Sequence, residues 1–464
     1  MSEVAAGLKA LIGDSRVSID ASDLEAHARD WSPAALLGQR TGSPPALPIA
    51  VVRPTSTEEV SKVLGWASQN SVPVVAYGAG SDVVRGIEPR GCVVIDMGEM
   101  WQIRELDQKS RVVIAEAGVT GPQLAEALEA QGFTLGHEPQ SHDISTVGGW
   151  VATKACGQLS SRYGGIEDLI VGIEAVLADG RVVESKVVPR RSAGPDVASL
   201  MIGSEGTLGI ITAVALQISL LPGPRSDLCL RFEHMTDGVK AARSIAQEGL
   251  QPTMLRLYDE QDAMLFLRNH PAEPQGPLMV MSFHGAHCAE RTEQARRLAG
   301  GKEGNDGLVE HWWKHRNDAV VEFRKVMEGE GLLGPHGIVD TIEVSASWTR
   351  LRNVYHSIKD ALTPHADLVG CHLSHVYPSG ACLYFTMGAV ASSDEDARQR
   401  LETWWSEAMT NCLREGGSIS HHHGIGRTKA TWLPEELGGW FAVLRSVKQV
   451  LDPNNILNPG ALGL

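Results

Sequence analysis

Val72-Pro73-Val74-Val75-Ala76-Tyr77-Gly78-Ala79-Gly80-Ser81-Asp82 reads as a short apolar strand running directly into a glycine turn. The strand follows from the β-branched residues after Pro73, and the turn from two glycines that admit backbone conformations closed to other residues. A dinucleotide fingerprint of the GxGxxG kind would place its third glycine at position 83, ahead of a long amphipathic helix, and this chain has Val83 there. Taken alone, the segment is a turn that ends a strand.

The flanking sequence supplies an α/β context. Ile49 to Arg53 forms the preceding strand, and Pro54-Thr-Ser56-Thr-Glu-Glu59 offers a capping box of Ser56 with Glu59. Val60, Val63, Leu64 and Ala67 fall on one helical face, and the helix should stop near Asn70 because Pro73 disfavours helical geometry before it. Downstream, Val93 to Asp96 and Val112 to Ala115 read as strands. A helix starting at Thr120 carries Leu124, Ala127 and Leu128 on one side and ends at Gly132. Glu174 to Leu177, Arg181 to Glu184 and Ile210 to Ser219 are further strands, with Asp179-Gly180 as a hairpin turn. Leu221-Pro-Gly-Pro-Arg225 is the expected domain boundary. A long helix is expected from Leu433 to Val450, ahead of the tail Asp452-Pro-Asn-Asn-Ile-Leu-Asn-Pro-Gly460.

Composition bounds the function. The 464 residues carry 41 Lys+Arg against 56 Asp+Glu, a formal charge of −15, which argues against binding to nucleic acid or to anionic lipid. With 43% hydrophobic and 21% charged residues the chain is globular, and its 49 glycines against 5% aromatics point to many tight backbone passages. The seven cysteines, Cys92, Cys156, Cys229, Cys288, Cys371, Cys382 and Cys412, are odd in number and show no CxxC pairing, as in a reducing compartment. No apolar run approaches the roughly 20 residues that span a bilayer. The expectation is a cytoplasmic protein with no integral membrane segment and a small-molecule substrate; a homodimer is the default assembly.

Several small-residue passages accompany the first turn: Ser145-Thr-Val-Gly148-Gly149, Thr153-Lys-Ala-Cys-Gly157, Arg162-Tyr-Gly-Gly165 and Gly203-Ser-Glu-Gly206-Thr-Leu-Gly209. Free amides and hydroxyls spread over loops suit an extended phosphate-containing cofactor. With Val52-Arg-Pro54-Thr, Glu116-Ala-Gly118, Tyr163-Gly-Gly-Ile-Glu-Asp168 and Asn454-Asn-Ile-Leu-Asn-Pro-Gly460, the chain resembles the FAD-binding PCMH-type flavoenzymes, the vanillyl-alcohol oxidase and p-cresol methylhydroxylase family. The resemblance implies an α+β fold: a two-subdomain PCMH-type FAD-binding domain, an α/β substrate cap and a C-terminal tail returning to the FAD site. The expected division is an N-terminal helical segment at 1–45, the FAD domain at 46–225, the cap at 226–417 and a closing segment at 418–464.

By the same resemblance, Gly78, Ala79, Gly80, Ser81 and Asp82 would hold the FAD pyrophosphate. Ser141, Asp143, Ser145, Thr146, Gly148, Gly149, Thr153, Ala155 and Cys156 would line the flavin, and Glu205, Gly206, Thr207, Gly209 and Ile211 would complete the cofactor site. The family's usual middle glycine is Ala79 here.

The C-terminal half selects the branch. Gly417-Ser-Ile-Ser-His421-His422-His423-Gly-Ile-Gly426, with His137-Glu-Pro139, Arg256-Leu-Tyr-Asp259 and Gly380-Ala-Cys-Leu-Tyr384-Phe, is similar to the alkyldihydroxyacetonephosphate synthases. Three consecutive imidazoles cannot point one way, so one is expected to face the site while its neighbours pack elsewhere. The sister branch of 2-hydroxy acid dehydrogenases binds a metal where this chain has His422 and Tyr384. Losing a carboxylate and an imidazole weakens that reading, so no metal is expected, with His375 and His422 as the remnant pair.

The implied chemistry makes Tyr384 an acid–base group with a lowered pKa and His422 its partner, flanked by His421 and His423. Arg256 lies at the flavin, and Arg324 clamps the substrate, in competition with Arg316. The expected activity is acyl-for-alkyl exchange at the flavin N5 on a small anionic substrate, or a related oxidation. The alternatives are an FAD-linked oxidase or dehydrogenase of a 2-hydroxy acid or alcohol, and a non-catalytic flavin-binding subunit.

Overall fold

The computed structural model describes residues 2–267, 270 and 276–464, which form two compact units. The first is assembled from Met1–Cys156, Gly165–Leu221 and His422–Leu464, the second from Gly157–Gly164 and Pro222–His421.

In the first unit Ala50–Val52, Val93–Asp96 and Val74–Tyr77 run parallel, with Ala50 and Val74 both opposite Val93, and Val17–Ser18 adds an antiparallel edge. Such a sheet is covered on both faces, which is why Ala50–Val52 and Val93–Asp96 are apolar almost throughout and buried at every position. The connection between two of its strands is the helix Thr57–Gln69, which buries Val60, Val63, Leu64 and Ala67. Ser56 caps that helix by accepting from the Glu59 amide at 3.2 Å. The Glu59 carboxylate accepts from the Thr55 amide at 2.7 Å instead of from Ser56, so the expected box is displaced by one residue.

A five-stranded antiparallel sheet follows, in the order Ile103–Asp107, Val112–Glu116, Ile210–Gln217, Ile170–Val176, Val182–Glu184. Its last two strands are joined through Asp179-Gly180, where Gly180 takes φ 87°. The strand expected to continue to Ser219 stops at Gln217. The Ile218 amide goes to the Arg111 carbonyl, and Ser219–Leu220 leaves to pair with Phe133–Thr134. The helix expected over 433–450 is two, Leu433–Leu437 and Gly439–Leu451, because Gly438 breaks the helical path with φ 53°. Beyond it the tail joins the parallel sheet: Val74 N donates to Ile456 O at 2.7 Å and Asn458 N donates to Val74 O at 2.9 Å.

The second unit is a seven-stranded antiparallel sheet in the order Lys302–Glu303, Arg225–Arg231, Leu278–His284, Met254–Tyr258, Leu368–Val376, Gly380–Val390, Gly337–Ser347. One face is covered by the helices Met235–Gln247, Trp348–Leu362 and Asp394–Arg414. The helix Met235–Gln247 approaches so closely that a Cβ on its Gly238 would lie 2.5 Å from Leu257. Tyr355 of the helix Trp348–Leu362 stacks near Phe385, and Trp405 of the helix Asp394–Arg414 donates to Asp340 at 2.8 Å. Strand alternation then turns Tyr258, His372, Tyr384 and Glu343 to the opposite face. No described helix is long and apolar enough to cross a membrane.

Candidate active site

The cradle in the first unit is made where strand Val74–Tyr77 ends. A side chain on Gly78 would collide with the Thr146 hydroxyl, and Gly80, at φ 67°, sits against the Tyr77 phenol, so bare backbone is required at both positions. Thr146 caps the helix Val147–Thr153, and Ser145 accepts from the Trp150 indole N–H at 2.6 Å. The loop at 203–207 is fastened to the end of that helix, with Gly203 N on Val151 O at 2.9 Å and Glu205 N on Ala152 O at 2.8 Å. Thus 78–81, 145–149, 153–155 and 203–207 come together. Asp82 turns its carboxylate onto its own loop, accepting from Val83 N and Gly86 N at 2.7 Å each. Asp143 is exposed, and the Ile211 side chain packs into the apolar core.

One residue tests whether a cofactor fits. His137 is buried against Trp150, with ring centroids 4.9 Å apart, and both of its ring nitrogens lack a hydrogen-bond partner. Burial, aided by His142, pushes its pKa down to about 3, so the ring is neutral and carries one unmet donor and one unmet acceptor. An unmet buried polar group costs about 1–3 kcal/mol, which a polar cofactor edge would recover. The donor set and the stripped backbone therefore fit a dinucleotide-sized group such as FAD.

The tail locks this cradle. Glu205, itself at φ 49°, accepts from Ile425 N at 2.6 Å and Gly426 N at 2.8 Å. Burial nevertheless raises its pKa to about 7, against the pull of those amides and of Lys429 and Arg427. Asn458 donates to Gly86 O at 3.0 Å and to Glu205 O at 2.8 Å, while Lys448 donates to Thr207 O, Leu457 O and Asp452. Asn458, Lys448 and Arg427 had no role assigned from sequence; a lysine on the apolar side of the helix Gly439–Leu451 was the available signal for Lys448.

In the second unit the opposite sheet face, against which the helices Glu260–Leu267 and Gly307–His315 pack, carries the polar chemistry. Cross-strand register aligns Tyr258 with His372, His372 with Tyr384 and Tyr384 with Glu343 in one row. Residues 372 and 375 would normally face opposite sides. A bulge between Leu373 and His375 sets His375 opposite Cys382, two residues from Tyr384, and so returns it to the same face. There His375 Nδ1 meets Ser160 Oγ at 2.6 Å and its ring stacks on His421 at 4.7 Å, while His421 Nε2 meets the Tyr377 hydroxyl at 2.9 Å. Glu343, fully buried, accepts from the His421 amide and from Ser420 Oγ.

Arg256 is 6% exposed; its guanidinium lies 5.6 Å from the Trp312 ring and faces His372 Nε2 at 3.5 Å. Arg316 also stands 5.6 Å from Trp312 and 4.8 Å from Trp313. Arg324 is not brought to this face. Half exposed on the helix Asp318–Met327, it pairs with Glu328 at 2.7 Å. The pKa of Tyr384 moves opposite to expectation. Burial raises it, and the Glu343 and Asp340 carboxylates push the same way against a hydrogen bond with Thr341, so the phenol keeps its proton. Of the imidazole run, His421 belongs to the second unit and stacks on His375, while His422 and His423, of the first, meet edge to face at 4.5 Å.

A backbone cradle shaped for a dinucleotide, in a chain that also carries a protonated phenol and clustered imidazoles on a sheet face, defines a cofactor-dependent enzyme. Residues 48–186 match the FAD binding domain, and residues 222–462 match the C-terminal domain of FAD linked oxidases. The chain belongs to the FAD-linked oxidoreductase family, and its cofactor is FAD.

Among relatives, an Escherichia coli O157:H7 protein described as the uncharacterized FAD-linked oxidoreductase YgcU is 35% identical over 437 residues, covering 90% of this chain and 89% of its own. An alkyldihydroxyacetonephosphate synthase of Caenorhabditis elegans is 29% identical over 466 residues, covering 91% of this chain and 77% of its own. A solved alkyldihydroxyacetonephosphate synthase structure superposes with a TM-score of 0.80 at 25% identity, covering 99% of this chain and 84% of its own.

Proposed function

We propose that this protein acts at the oxygen-bearing carbon of a small anionic substrate in the manner of alkyldihydroxyacetonephosphate synthase, exchanging an acyloxy for an alkoxy group without net redox: the carbon–oxygen bond to the acyloxy group breaks, the carboxylate leaves, and the alcohol oxygen takes its place with loss of its proton. The observation that carries this reading is the buried Arg256 guanidinium on the sheet face that also presents the protonated Tyr384 phenol. A molecule of net charge −15 does not steer anions with its whole surface, so the ligand's charge must be met by local cations. Arg256 offers a planar fork that binds two oxygens at once, and Arg316, against the same Trp312 indole, is a second cation in this part of the unit.

Tyr384, which keeps its proton, then donates a hydrogen bond to a substrate oxygen as negative charge builds there. Proton acceptance falls to the histidine run, with His422 as the acid–base group. Bound FAD supplies two-electron chemistry.

The test is incubation of anaerobic holoenzyme with acyl-dihydroxyacetone phosphate and a long-chain alcohol. The expected result is an ether product with the flavin still oxidised at the end. Bleaching of the flavin by D-lactate, glycolate or 2-hydroxyglutarate, with no ether formed, would replace this reading by oxidation of a hydroxy acid at the same residues.

A further inference from the structure

Asp262, on the helix Glu260–Leu267, is 5% exposed and its Oδ2 lies 2.6 Å from His372 Nδ1. On the other side of the same ring, His372 Nε2 lies 3.5 Å from an Arg256 Nη. Only one form of the imidazole satisfies both neighbours. An Nε2–H tautomer would set a lone pair against a carboxylate and an N–H against a guanidinium N–H, and an imidazolium would keep the second mismatch while adding like charge. The neutral Nδ1–H form donates to Asp262 and accepts from Arg256.

The surroundings hold the ring in that role. Tyr384 stacks on it at 5.0 Å and 27°, and Tyr258 lies against it at 5.1 Å. Asp262 is itself fixed by its amide, which donates to Asp259 at 2.9 Å, and it fits over the strand because residue 370 is glycine: a Cβ there would lie 2.9 Å from both Asp262 Cβ and Oδ1.

We infer that His372 is a positioning residue: locked in one tautomer by Asp262, it sets the plane of the Arg256 guanidinium and thereby the fit of the two-oxygen anionic end of the substrate. This rests on the reading that Arg256 receives that anion. His372 need not touch the reacting atoms; its effect is on binding, through Arg256.

The experiment titrates holoenzyme with glycolate and with inorganic phosphate, following perturbation of the flavin absorbance, in wild type and five variants. Arg256→Ala tests the underlying reading. If wild type shows no perturbation by either anion, or Arg256→Ala binds as wild type does, the anion clamp fails and this inference fails with it.

Given a clamp, His372→Phe, which keeps the ring contacts but neither polar link, should weaken binding about 10-fold. Asp262→Asn, whose amide can turn the tautomer around, should do the same, and so should Gly370→Ala, which displaces Asp262 without altering a polar group. His372→Gln, able to donate to Asp262 and accept from Arg256, should recover to within about 3-fold of wild type. Flavin content and melting temperature are measured alongside. Anion affinity unchanged in His372→Phe, or lost only in proportion to flavin content, would show that the imidazole merely packs and overturns the inference.

Discussion

At the scale of single residues, two groups whose pKa values are raised point to different jobs, and each can be tested by removing one atom or one charge. Tyr384 holds its proton because burial and the carboxylates of Glu343 and Asp340 oppose a phenolate. Tyr384→Phe should therefore lower kcat by about 10²–10⁴-fold on whichever substrate turns over, with flavin content unchanged. Unaltered turnover would remove the phenol from the chemistry. Glu205 is different, since its pKa is raised from 4.5 to about 7 by burial inside the tail junction. A raised pKa means the folded state binds the proton more tightly, so this stabilisation is complete below about pH 4.5 and is lost as pH rises through 7, up to about 3 kcal/mol. Thermal melts between pH 5 and 8 should fall less steeply for Glu205→Gln than for wild type; parallel slopes would refute the assignment. Much of the cofactor side was legible in sequence because glycine and hydroxyl turns are local signals. The direction of the Tyr384 shift was not, since it depends first on burial in the assembled sheet and then on carboxylates brought in by a separate strand.

At the scale of elements, the decisive devices are a bulge, a register and a clip. The bulge between Leu373 and His375 is what places two histidines three residues apart on one face, and no local pattern in His372-Leu-Ser-His375 announces it. The row from Tyr258 to Glu343 was likewise hidden, because it requires knowing which strands are neighbours. The clip is Lys448, whose ammonium reaches Asp452 at 2.6 Å and two carbonyls at 3.0 and 2.8 Å. Lys448→Met leaves the Asp452 carboxylate buried without its cation, so stability should drop by about 3–5 kcal/mol in a denaturant titration. A drop below about 1 kcal/mol would show that the clip is ornamental. The helix containing it was expected from periodicity, but its split at Gly438 was overlooked because Gly438-Gly439 lies inside an otherwise continuous amphipathic pattern.

At the scale of the whole molecule, the parallel sheet of the first unit is completed by residues far along the chain: Val74 exchanges hydrogen bonds with Ile456 and Asn458. Between Leu221 and His422 the chain spends 200 residues, Pro222–His421, in the second unit. The order of biosynthesis is therefore inverted relative to the order of completion. At about 5–20 residues per second, a ribosome that has made Leu221 needs about 10–40 s more before the tail that finishes the first unit begins to appear. During that interval the sheet edge at Val74 has no partner, while the second unit already has all its strands once residue 390 has emerged. The later part of the message thus encodes the body that can fold first, and nascent chains stalled near residue 421 should show protease resistance in the second unit before the first.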